Sequence, residues 1–195
     1  QHFNLERLID MRRFNGDELL ARSALVEGDA SAVMLDYNFK LVGQPGLGER
    51  QDVQALMMQN VVGAALTSSL QDTPRSLVAM MIFPYTSGLR FVHFLLRHGG
   101  FARVSRAYRE PPRSSEEILH PEKYGREQAD FVVLSDAEVK EAAKEPAAEV
   151  RYADVLGEFS ISALLYQQQV PENAEAAAGW GGDRVLILAV PGEER

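Results

Sequence analysis

The chain has 195 residues, of which 46% are apolar, which is the composition of one folded domain rather than a disordered segment. Acidic residues outnumber basic ones by 28 to 20, for a net charge of −8; this argues against nucleic acid and anionic membranes as principal partners, although Arg103, Arg106, Arg109 and Arg113 mark a local basic face. There is no cysteine, which removes disulfides, thiolate nucleophiles and cysteine-type zinc sites together.

The chain opens on QHFNLERLIDMRRF, already helical in pattern, with Phe3, Leu5, Leu8, Ile9 and Met11 as a rough stripe. No signal peptide is visible, and a start in mid-helix reads as a trimmed or processed chain. Asn15-Gly16 marks a break, and Asp17 is the expected cap of a long helix running towards Phe39. VGQPGLGER (42–50) is a flexible polar loop, and a helix is expected over 51–70. Thr73-Pro74 ends it, and another helix follows over 76–83. Pro84 should kink or interrupt that helix, because its ring clashes with the preceding turn and its nitrogen carries no hydrogen. TSGLRFVHFLLRHGG (86–100) then reads as a helix stopped by Gly99-Gly100. From Leu77 to Leu96 the apolar run is broken by Pro84, Gly88, Arg90 and His93, so no membrane span is expected.

FARVSRAYRE is a short helix before the rigid Pro111-Pro112 turn. SSEEILHP (114–121) is a capped helix, with Ser114 or Ser115 as cap and Glu116 and Glu117 in its first turn. ADFVVL (129–134) is β-like, and SDAEVKEAAKEPAAEVRYADV mixes charged helix with connector. A helix around Phe159–Leu165 ends near Val170-Pro171; ENAEAAAGW holds a short helix, and DRVLILAV (183–190) is the clearest strand. The fold class expected is mainly α (α+β), a single domain over 1–195 with a small β element near the C-terminus.

The four histidines, His2, His93, His98 and His120, do not fall at an HxxxH-type spacing, so no complete zinc site is visible. His93 suits the core, and His98 suits a helix C-terminus, where a cation meets the negative end of the dipole. GxSxG, P-loop, GxGxxG and EF-hand patterns are absent. ALVEGDA (24–30) poses the sharpest question. Glu27 sits in an apolar helical stretch, where a carboxylate is costly unless it is exposed, paired, protonated or metal-bound.

ALVEGDA resembles the helix that supplies the third ligand in the HExxH zinc peptidases called gluzincins. With FPYTSGLRFVHFLLRHGGFARVSRAYREPPRSSEEILHPEKY (83–124) and GWGGDR (179–184), the chain resembles a poorly characterised bacterial group of gluzincin-like metallopeptidases. In that group an HExxH-ALQDQHF helix precedes these segments, and QHFNL looks like its tail. The resemblance implies Glu27 as the third zinc ligand, and Asp29 either as an orienting group behind the metal or as the cap of a polar pocket. It makes His120 and Tyr124 of LHPEKY candidate transition-state donors, against the reading that this is a structural turn anchored by Pro121. Tyr85 is a candidate lining residue of the cleft, and Trp180 a packing anchor for the final strand.

Without the two imidazoles and the general base of HExxH, Glu27 alone cannot hold zinc, so this chain is expected to be catalytically inactive and to carry no cofactor. An intact relative would carry zinc and act on a peptide or protein. The alternative is a non-catalytic helical binding or scaffold module. Loss of a packing helix would bare apolar surface, which favours a homodimer. The resemblance implies a bacterial source and is compatible with an extracytoplasmic location.

Overall fold

Asn15, rather than Asp17, opens the longest helix. Its side chain accepts the Glu18 backbone N–H at 2.9 Å, and Asp17 and Glu18 put negative charge on the first turn, where unpaired N–H groups favour it. In the computed structural model, which describes residues 4–51, 53, 72–126 and 135–190, this helix, α2, spans Gly16–Leu41. A four-residue α1, Leu5–Leu8, precedes it, capped by Asn4. The expected helix at 51–70, but for its first residues, and the β-like 129–134 lie outside the described residues.

The next described helix, α3, runs unbroken over Arg75–Arg97 with Pro84 inside it, which corrects the expected interruption. A proline removes one backbone donor, and continuous packing on both sides of it can outweigh that loss. Phe83 lies buried before Pro84, and Leu89, Phe91, Val92 and Leu95 lie buried after it. The Thr86 hydroxyl also donates back to the Ile82 carbonyl at 3.2 Å, one turn earlier. By length and composition α3 is apolar enough to cross a membrane, but these side chains place it in the core.

Two glycines set how α2 meets α3. A Cβ on Gly28 would fall 2.3 Å from the carbonyl carbon and oxygen of Gly88. A Cβ on Gly88 would fall 2.1 Å from the Ala24 carbonyl oxygen. The two backbones therefore touch, and only glycine fits at either position. Leu25, Phe91, Val92, Leu95 and Ile118 fill the core around this crossing.

His98 caps α3, its Nδ1 lying 2.8 Å from the Phe94 carbonyl, and the Gly99-Gly100 break leads into α4, Gly100–Ala107. His93 is buried, its Nε2 2.9 Å from the Arg50 carbonyl. Ser114 caps the short α5, Ser115–Leu119, and Ser135 with Glu138 forms a capping box at α6, Asp136–Ala142. The segment EVRYAD, expected as connector, is a strand, β1, Glu149–Asp154. It pairs antiparallel with β2, Val185–Ala189, with a bulge between Val150 and Tyr152. Between the strands lie α7, Gly157–Gln167, and α8, Asn173–Ala177. Phe159 joins α7 to α3 through a ring contact with Phe83 at 4.0 Å. The fold is mainly helical, with a two-stranded antiparallel sheet near the C-terminus.

Candidate functional site

Glu27 lies one residue before the glycine crossing, on the rigid middle of α2. Its side chain is half-buried and makes no hydrogen bond or ion pair among the described residues. Asp29 is differently placed. Its Oδ2 accepts the Tyr108 hydroxyl at 2.9 Å, while Oδ1 is buried with no partner among the described residues. Burial raises the Asp29 pKa, and the Tyr108 bond pulls it part of the way back. The Tyr108 phenol is pushed up in turn, first by burial and then by Asp29. Asp29 thus ties the middle of α2 to the end of α4.

His120 ends α5, and its Nε2 sits 2.8 Å from Oε1 of Glu158 on the first turn of α7. Its Nδ1 lies 3.9 Å from the exposed Glu122. Glu158 is 3% exposed and its second oxygen has no partner among the described residues. Burial raises its pKa, with His120 acting in the opposite direction. Beside it Lys123 pairs with Glu116 at 2.8 Å.

Tyr124 belongs to a different place. Its hydroxyl donates to the Glu110 backbone carbonyl at 2.5 Å and its ring meets Phe91 edge-on. Burial, with Glu117 and Glu110 nearby, pushes the phenol up to about 12. Tyr85 sits on the exposed side of α3, in mid-helix rather than at a helix start. No hydrogen bond or ion pair among the described residues joins Glu27 to His120, Tyr124 or Tyr85. Nor do three or more histidine, aspartate and glutamate side chains come together in metal-binding geometry among them.

A polar junction not foreseen from the sequence lies under His120. Asp17 is 1% exposed, and its Oδ2 accepts the Ser115 backbone N–H at 3.0 Å. The Ser115 hydroxyl accepts the Phe159 N–H at 3.1 Å, so the first turns of α2, α5 and α7 interlock. Asp17 presses against Gly157, whose φ of +76° and missing Cβ leave it room: a Cβ there would fall 1.9 Å from Oδ1. Behind it Asp183 accepts the backbone N–H groups of Leu156 and Gly157 at 2.8 and 2.9 Å, and the Trp180 indole N–H at 2.8 Å. Burial, reinforced by the charges of Asp183 and Glu158, raises the Asp17 carboxyl to about 7. A helix-start aspartate reads from sequence as a solvated cap; only the 98-residue contact with Ser115 reveals otherwise.

Comparison with family models, with curated proteins and with solved structures gives no match.

Proposed function

We propose that this chain belongs to a gluzincin-like zinc peptidase and supplies its third metal ligand, Glu27. The observation that supports this reading is the state of that carboxylate. It stands half-buried beside the close glycine crossing of α2 and α3, with all of its acceptor positions unused among the described residues. Glycine contact on one side and the Asp29–Tyr108 bond on the other fix the rotation of α2, and with it the direction in which Glu27 projects.

A single carboxylate meets only part of zinc's demand, since protein sites supply at least three ligands. The described residues add no others, so the reading requires two imidazoles from an HExxH segment. In such a site Glu27 would be one of the ligands, and the zinc would supply Lewis-acid activation of water. A non-catalytic binding module is the second reading, favoured by the absence of a three-ligand group among the described residues.

The test is zinc content in a chain extended upstream through its own coding sequence. Stoichiometric zinc that disappears in Glu27→Ala is the expected result. A coding sequence without HExxH, or zinc retained in Glu27→Ala, refutes the peptidase reading.

A further inference from the structure

Two adjoining clefts lie where the α1–α2 connection meets α4 and the loop after it. The wider, of about 850 Å³, is lined by Arg22, Arg103, Arg106, Arg113 and Arg126, with Glu110 and Glu117 as its acidic members. The narrower, of about 560 Å³, is lined by Arg7, Arg13 and Arg109, with no acidic lining residue among the described residues. They share Arg22 and Pro111, so they form one track. Eight guanidinium groups thus face two carboxylates, in a chain whose net charge is −8. Charge has been segregated onto this side of the molecule.

Part of this charge serves the fold. Arg22 donates to Glu18 at 2.6 Å and to the Leu8 carbonyl at 3.2 Å, and stacks on Phe14, so it pins α1 to α2. Arg106 pairs with Glu110 at 2.9 Å, and Arg103 lies over Phe94. Arg7, Arg109 and Arg126 are different: each is exposed and has no ion pair among the described residues. Like charges held along a cleft repel one another and focus a positive field into it, an arrangement that an anion relieves. The planar fork of arginine matches a carboxylate through two parallel hydrogen bonds.

The shape narrows the choice of anion. The unpaired guanidiniums are divided between the two clefts, Arg7 and Arg109 in the narrower and Arg126 in the wider, which suits a ligand carrying charges at intervals. Single-stranded nucleic acid needs aromatic platforms as well as charge. The tyrosines bordering the track are half-buried and engaged: Tyr108 through Asp29, and Tyr124 through the Glu110 carbonyl and Phe91. The chain's overall negative charge also opposes a long polyanion. We propose that the double cleft binds an acidic peptide segment, whose aspartate and glutamate carboxylates seat on Arg7, Arg109 and Arg126. This binding needs no zinc and stands apart from the peptidase reading.

Fluorescence anisotropy with a labelled oligoglutamate peptide tests it, with oligolysine and a short single-stranded oligonucleotide as comparison probes. Oligoglutamate should bind, and weaken as salt rises from about 50 to about 200 mM. The double variant Arg109→Glu/Arg126→Glu should lower affinity by about tenfold or more, with an unchanged circular dichroism spectrum. Arg151→Glu, on β1 and outside the clefts, should leave it within about twofold. Equal binding of oligolysine, tighter binding of the oligonucleotide, or full affinity in the folded double variant would each overturn the proposal.

Discussion

Gly28→Ala tests the backbone contact on which the placement of Glu27 depends. At a solvent-facing helix position this change stabilises by about 1 kcal/mol, because alanine loses less conformational freedom than glycine. Here the new methyl would lie 2.3 Å from Gly88 backbone atoms, against the 3.4 Å at which ordinary contact begins. Backbone cannot rotate away as a side chain can. The helices must therefore part by about 1 Å, loosening the packing of Leu25, Phe91 and Val92. Overpacking of this kind costs about 1–3 kcal/mol, and a backbone-to-backbone clash belongs at or above the upper end. Net of the propensity gain, a loss of about 2 kcal/mol is expected, which for a chain of this size lowers Tm by roughly 4–8 °C. Urea unfolding followed by circular dichroism measures it. Ala30→Gly, on the exposed side of the same helix, supplies the opposite control and should lose about 1 kcal/mol from propensity alone. If Gly28→Ala were as stable as the parent protein or more so, the close crossing would be wrong.

Three further outcomes follow from the polar groups. The Asp17 pKa is raised from its ordinary 3.8 to about 7, so the folded state favours the protonated form. Its contribution is complete below about pH 4 and is lost as pH rises towards 7, a span worth on the order of 4 kcal/mol. Asp17→Asn, which mimics the protonated form, should flatten that slope in urea titrations at several pH values; an unchanged slope would assign it to other groups. Tyr108→Phe removes the donor to Asp29, whose other oxygen lacks one among the described residues, and should cost about 1–2 kcal/mol in the same unfolding assay. Glu27→Ala, by contrast, should change stability by no more than about 0.5 kcal/mol, since nothing among the described residues is lost with it.

These residues also show where sequence pattern reaches its limit. Apolar spacing located α2, the flanks of Pro84 and β2, because a buried stripe has to repeat with the period of its element, while cap residues located α5. The Pro84 break was misplaced because proline's local cost is overruled by core contacts on both sides of it, and those contacts come from distant segments. EVRYAD did not read as a strand because its faces are mostly exposed and its partner strand β2 lies far along the chain. ALVEGDA drew attention for its carboxylates, but its glycine is the residue whose role the structure makes plain. Asp29 is held by Tyr108, 79 residues away, and Asp17 by Ser115 and Gly157, and no spacing rule announces such pairings. Arginine clustering was legible in part: four neighbours in sequence marked the face, while Arg7, Arg13, Arg22 and Arg126 joined it only on folding.

The first turn of α2 imposes an order of events on a chain emerging from the ribosome. The Gly16 backbone N–H reaches the Asp154 carboxylate at 2.6 Å, across 138 residues. Helices α2 and α3 can zip together once residue 97 is available, a comparatively local closure. The socket around Asp17 cannot close until the segment near Gly157, and then Asp183 behind it, has been made. Until then an ionisable side chain waits in half-formed surroundings, and the entropy of a long loop stands against its burial. Residues 154–183 therefore complete the socket at the start of α2, and the slowest folding step should be their docking onto a helix pair that is already formed.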